Sequence, residues 1–208
     1  MKVKITLTNE MLGTKSDDPE VFGTYIASKC EDDDLRKQEL QVAENIEKRG
    51  TSVFHRHPET GELIIWDYMV KGFLKAAGDS IRVASNNKKA SDDEEKPKPG
   101  RTKKWGSIKS KIDQFVRVRP RMIPLGKTDP DGVCERSLRV NTAQGPRVTV
   151  ARSEVVNEKT SFEVEIDVYS GAPITEDMLT QILDFGGWTG LGQWRNAGKG
   201  QFTWEEIA

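Results

Sequence analysis

The chain has 208 residues, 35 % of them hydrophobic and 31 % charged, with a mean hydropathy of −0.64, which suits one elaborated soluble domain and excludes a membrane protein. Thirty-two Lys and Arg against thirty-three Asp and Glu leave a formal charge of −1, which taken alone argues against a nucleic-acid binder. Cys30 and Cys134 are too few for a disulfide scaffold and have no CxxC spacing, and no signal-length apolar run opens the chain, so a reducing cytoplasm and no membrane are expected.

Val3, Ile5 and Leu7 alternate with Lys4 and Thr6, the period of a strand with one buried face. Residues 16–50 turn polar and acidic and read as a surface insertion, with a weak helical pattern at Leu35, Leu40, Val42 and Ile46. Val53-Phe54, the turn Pro58–Gly61 and Glu62–Trp66 predict a hairpin. Val70, Phe73, Leu74, Ala77 and Ile81 share one helical face. Residues 86–107, rich in Lys, Asp, Glu and Pro, predict a mobile basic loop. Strands are expected at Phe115–Val118 and, most clearly, at Ser161–Val168, where Phe162, Val164, Ile166 and Val168 alternate with acidic residues. Ile174–Phe185 reads as a helix closed by Gly186-Gly187, and Gln201–Trp204 as a final strand. Antiparallel strands with two helices in this order predict a single α+β domain, 1–208, with a ferredoxin-like sheet carrying helices on one face.

Division by segment overturns the neutral average. Residues 1–50 hold eight basic and eleven acidic residues, whereas residues 96–152 hold fifteen basic residues against four acidic ones, a net +11. Such a concentration can neutralise phosphates and release counterions. Arg117, Arg119 and Arg121 are spaced two apart and would present three guanidinium groups along one side of a strand. Lys103, Lys104, Arg139, Arg147 and Arg152 add to the same basic stretch.

Near the C-terminus, Gly190-Leu191-Gly192 and Gly198-Lys199-Gly200 bracket Gln193, Trp194, Arg195, Asn196 and Ala197. The glycines allow sharp turns and close approach to a ligand, Trp194 offers a stacking surface, and Arg195 and Lys199 add charge. No dinucleotide fingerprint is formed, because no helix follows the glycines.

This glycine pattern, set just before a last strand, resembles the glycine-rich loop of the RAMP superfamily, the RNA-binding proteins of CRISPR effector complexes. His57–Ile65 followed by Val70-Lys71-Gly72-Phe73-Leu74-Lys75 is similar to the turn, strand and helix start of type III backbone subunits, and Val148–Val156 with Phe162–Ile166 resembles their strand pair before the last helix. The resemblance implies an RRM-like core holding single-stranded RNA along its sheet and loops, with Lys71 and Lys75 on the nucleic-acid backbone and self-association along it. Where target-cleaving members carry an aspartate this chain has Gly50, Thr51 and Ser52, and Asp17 and Asp18 lie too far upstream, so that cleavage is not expected.

The leading expectation is a non-enzymatic protein that binds single-stranded RNA, or single-stranded DNA, with no cofactor and no metal. The chain is also similar to compact phage-encoded RAMP-like proteins, so the alternative is an anti-CRISPR or interaction protein that engages CRISPR effector subunits. A second alternative is a ribonuclease using His55 or His57, the only histidines, as general acid or base. Acidic residues 17, 18, 20 and 32–34 fit no calcium-loop spacing.

Overall fold

A computed structural model describes residues 1–16, 51–92, 105–142 and 145–207. The acidic insertion, apart from Ser16, and Lys103 and Lys104 lie outside the described residues. The protein is an α+β fold built on a βαββαβ frame. β1 (Lys2–Leu7) leads, after three short strands and a hairpin, to α1 (Asp67–Asp92) and α2 (Ile108–Phe115). Then come β7 (Val116–Arg119), β11 (Ser161–Val168), α3 (Glu176–Asp184) and β12 (Phe202–Ile207). The sheet order is β12-β1-β11-β7 and every neighbour is antiparallel, the ferredoxin-like arrangement the element order predicts.

Strict alternation explains which way the sheet faces. Val3, Ile5 and Leu7 of β1, Phe162, Val164 and Ile166 of β11, and Val116 and Val118 of β7 are buried, each next to exposed or half-buried polar residues. They pack on Phe73, Leu74 and Ala77 of α1, Ile112 of α2 and Leu179 and Ile182 of α3 in one core. Gly78 of α1 admits α2, since a Cβ there would stand 2.9 Å from Ile108 Cγ1. Thr175 caps α3, its Oγ1 accepting a hydrogen bond from the Met178 amide at 3.3 Å. Among the described residues, no helix is long and apolar enough to cross a membrane.

Two smaller sheets sit beside this frame. One has the order β2 (Met11–Leu12), β10 (Gly145–Val156), β4 (Thr51–Val53), β3 (Lys15–Ser16), and β9 (Gly132–Thr142) also pairs with β10 in a long antiparallel ribbon. The other joins β5 (His55–Arg56), β6 (Leu63–Trp66) and β8 (Met122–Pro124); β5 and β6 form a hairpin about the expected turn, but its first strand is His55–Arg56 rather than Val53-Phe54, since Val53 belongs to β4.

Several boundaries differ from the sequence reading. α1 continues to Asp92, inside the segment read as a loop, and Trp105, in the same segment, is buried at 7 % exposure. Phe115 ends a helix rather than starting a strand, because Ile108 and Ile112, four apart, bury one short amphipathic face. Val148–Val156 belongs to β10, which pairs with β9, β2 and β4; β11 pairs with β1 and β7. The final strand begins at Phe202 and runs on to Ile207.

Candidate functional site

The glycine loop folds back on its own chain. The Leu191 amide donates to Gly200 O at 2.9 Å and the Gly200 amide to Glu10 O at 2.8 Å. A Cβ on Gly190 would stand 2.2 Å from Lys199 O, one on Gly192 2.7 Å from Leu12 O, and one on Gly200 2.0 Å from Leu191 O. These three glycines serve contacts within the protein. Gly198, at φ +81°, meets nothing closer than 3.7 Å. Leu191 anchors the loop in the core, and the Lys199 ammonium pairs with the Glu10 carboxylate. The tip carries Trp194, 42 % exposed and left-handed at φ +58°.

Beneath Trp194 lies a polar network that joins four separate segments. Arg136 of β9 donates from Nη2 to Ser153 Oγ of β10 at 2.7 Å and to Gln193 Oε1 at 3.1 Å. Ser153 and Ser52 of β4 share a hydrogen bond of 2.7 Å, and Ser52 Oγ donates to Gln193 Oε1 at 3.4 Å. The Arg136 guanidinium carbon lies 4.5 Å from the centre of the Trp194 ring, a cation–π contact. All its partners are neutral, and its Nε is buried with no hydrogen-bond partner among the described residues. An orphaned buried N–H costs about 1–3 kcal/mol, and a half-buried guanidinium lacking a carboxylate attracts an anion. Beside it, the backbone amides of residues 192–196 have no backbone partner among the described residues. Sequence reasoning counted Arg136 in the basic stretch without singling it out. Only the β9–β10 register, which sets Arg136 opposite Ala151, brings it to the loop.

Most of the other basic candidates are occupied. Lys71 Nζ donates to Asp113 O at 3.0 Å, and Lys75 Nζ pairs with the Asp113 carboxylate at 3.0 Å; both tie α1 to α2. Arg119 Nε donates to Asp167 Oδ2 at 2.8 Å and lies 3.8 Å from Glu165, and these carboxylates hold its guanidinium more firmly protonated than usual. Arg152 pairs with Glu135 at 2.8 Å. Arg121 lies beyond the end of β7, past Pro120, so Arg117, Arg119 and Arg121 do not form one row on a strand. Arg117 and Arg195 form no ion pair among the described residues. For Arg139 and Arg147 only the backbone positions in the ribbon are described.

The open face of the main sheet is a ladder of alternating charge. Lys2 and Lys4 of β1 stand between Glu205 of β12 and Glu163 and Glu165 of β11, and β11 in turn faces Arg117 and Arg119 of β7. Lys2–Glu163 at 2.8 Å and Lys4–Glu205 at 3.3 Å are ion pairs. Its outward positions on β1, β7 and β11 carry no aromatic ring, so the face lacks the stacking platform by which RRM sheets hold RNA.

His57 Nδ1 accepts from the amides of Glu59 and Thr60, each at 3.3 Å, and so fixes the turn before Gly61. His55 packs edge-on against Trp66, ring centres 5.5 Å apart.

No protein-family model matches the chain, and no curated protein matches it in sequence. Among solved structures it is similar to a chain of a Type III-B Cmr-beta complex bound to cognate target RNA, at 13 % identity and TM-score 0.48, and it spans 58 % of that chain with all of its own length. It is also similar to a chain of a Type IV-B CRISPR complex, at 13 % identity and TM-score 0.43, over 100 % of this chain and 90 % of that one. A third likeness is to a Cas6 product complex, at 10 % identity and TM-score 0.32, over 98 % of this chain and 50 % of that one.

Proposed function

We propose that this chain is a non-enzymatic, RAMP-like protein that binds single-stranded RNA at the junction of the glycine loop and the β9–β10 ribbon. The reading rests above all on Arg136, a half-buried guanidinium whose partners among the described residues are all neutral, set against the exposed ring of Trp194. A nucleotide supplies what the pair lacks: a phosphate for Arg136 and a base for the open face of Trp194. The charge ladder on the sheet is internally compensated and stays outside the contact.

Fluorescence anisotropy with labelled single-stranded RNA across a salt series tests this, with single-stranded DNA of the same sequence alongside. Trp194→Ala is expected to weaken binding about tenfold, within the range of one base–aromatic stack. Arg136→Gln is expected to flatten the log–log salt dependence by about 0.7, the value of one phosphate contact on a single strand. Lys4→Ala, on the sheet face, leaves both unchanged. Absence of binding at low salt would overturn the reading.

A further inference from the structure

Gln193 is the pivot of the polar network beneath Trp194, and the donors around it fix which way its carboxamide points. An arginine side chain only donates hydrogen bonds, so the Gln193 atom 3.1 Å from Arg136 Nη2 is the carbonyl oxygen, Oε1. The same oxygen accepts from Ser52 Oγ at 3.4 Å. Ser52 has one hydroxyl proton and uses it there, so Ser153 is the donor in the 2.7 Å contact between the two hydroxyls. Ser153 in turn accepts from Arg136 Nη2 at 2.7 Å. The circuit closes through two buried serines, Ser153 at 0 % and Ser52 at 9 % exposure. Reversing the carboxamide would set its NH2 hydrogens against an Arg136 N–H.

Two consequences meet on the ligand side. Gln193 Nε2 is turned away from the circuit, makes no hydrogen bond among the described residues and reaches solvent. Gln193 also clamps the guanidinium without neutralising it. A glutamate of the same length would offer the same acceptor with a full negative charge, the surroundings that Asp167 and Glu165 give Arg119. A cationic group flanked by the free donors Arg136 Nε and Gln193 Nε2 suits a phosphate, which only accepts, better than a base edge that mixes donors with acceptors.

We propose that Gln193 is the positioning residue of the RNA contact: it aims the Arg136 guanidinium at a phosphate of the strand, leaves its charge uncompensated, and adds Nε2 as a second donor to that phosphate. This rests on the reading above that the chain binds single-stranded RNA. Because phosphates are alike along a strand, the contact reads no sequence. The test is anisotropy with labelled single-stranded RNA across a salt series, with thermal melts of each variant. Gln193→Glu should melt no lower than the wild type, because the circuit keeps its acceptor. It should nevertheless weaken binding about tenfold or more at low salt and flatten the log–log salt dependence by about 0.7, as Arg136→Gln does. Gln193→Met, which loses the acceptor and keeps Arg136 charged, should weaken binding while the slope stays as in the wild type. In the Arg136→Gln background Gln193→Glu should flatten the slope no further, which separates neutralisation of Arg136 from repulsion by the new carboxylate. Wild-type affinity and slope in Gln193→Glu, equal flattening with and without Arg136, or wild-type affinity in Gln193→Met would each overturn the proposal. The RNA reading still stands in those cases if Arg136→Gln alone flattens the slope. Absence of RNA binding by the wild type would refute both.

Discussion

Arg119 and Arg136 carry the same group and meet opposite surroundings. The first is clamped by Asp167 and Glu165, the second by Ser153, Gln193 and a tryptophan face; only the second is left with charge to offer a ligand. His55 shows the same dependence on neighbours. Burial first, and then the nearby Lys15 charge, push its pKa below the ordinary 6.5, so the folded protein takes up the proton less readily than the unfolded chain. The stability that follows is complete above pH 6.5 and is lost as pH falls from there through the lowered folded value. The melting temperature should therefore drop across that window, and His55→Gln should remove part of the drop. Asp79, held low by Lys109 and Arg82, and Asp131, held low by the Asn157 amide and Lys127, stay ionised throughout it. Thermal melts of both proteins at stepped pH check this, and superimposable profiles would refute it.

At the scale of elements, the glycine loop joins the sequence pattern to the site. Gly200→Ala puts a Cβ 2.0 Å from Leu191 O at φ +69°, so the left-handed penalty and a forced backbone shift together should cost about 2 kcal/mol or more. Gly198→Ala has room and pays the conformational term alone, about 1 kcal/mol. Urea denaturation at constant m measures the difference; equal midpoints would mean that the loop does not depend on this close approach. Among the elements of the main sheet and core, β1, β11, α1 and α3 were legible because each writes its buried face into the sequence, with period two in the strands and 3.6 in the helices, whereas α2, which buries only Ile108 and Ile112, was not. β9 was not legible. Val133 is 60 % exposed and Cys134, Glu135 and Arg136 follow it in no apolar alternation, because its pairing is with β10 rather than with the core. The site was legible to the same extent. Trp194 and the loop stand out in the sequence, whereas Arg136 depends on a register between distant segments.

At the scale of the whole molecule, charge is divided by segment as strongly as the sequence indicated, but ion pairs absorb much of the basic side. Among the described residues, the basic groups left without a carboxylate include Arg136, Arg117 and Arg195, so under the proposed reading affinity should depend on few contacts with an overall field behind them. The short β3–β4 ladder bears on that field. Lys15 pairs with Val53 and Ser16 with Ser52, so the two ends of residues 17–50 are adjacent strand neighbours. A short turn can replace the whole stretch without stretching the chain, and about three halvings of loop length lower the closure cost by about 0.6 kcal/mol each. Removing its ten acidic and five basic residues takes the net charge from −1 to +4. The shortened protein should fold and bind single-stranded RNA more tightly at low salt, with the gain vanishing at high salt; unchanged low-salt affinity would refute this. If the chain binds RNA as proposed, the acidic stretch would act as an exchangeable cassette between two adjacent strand ends, one that sets how strongly a polyanion is drawn from a distance while the proposed contact groups stay in place.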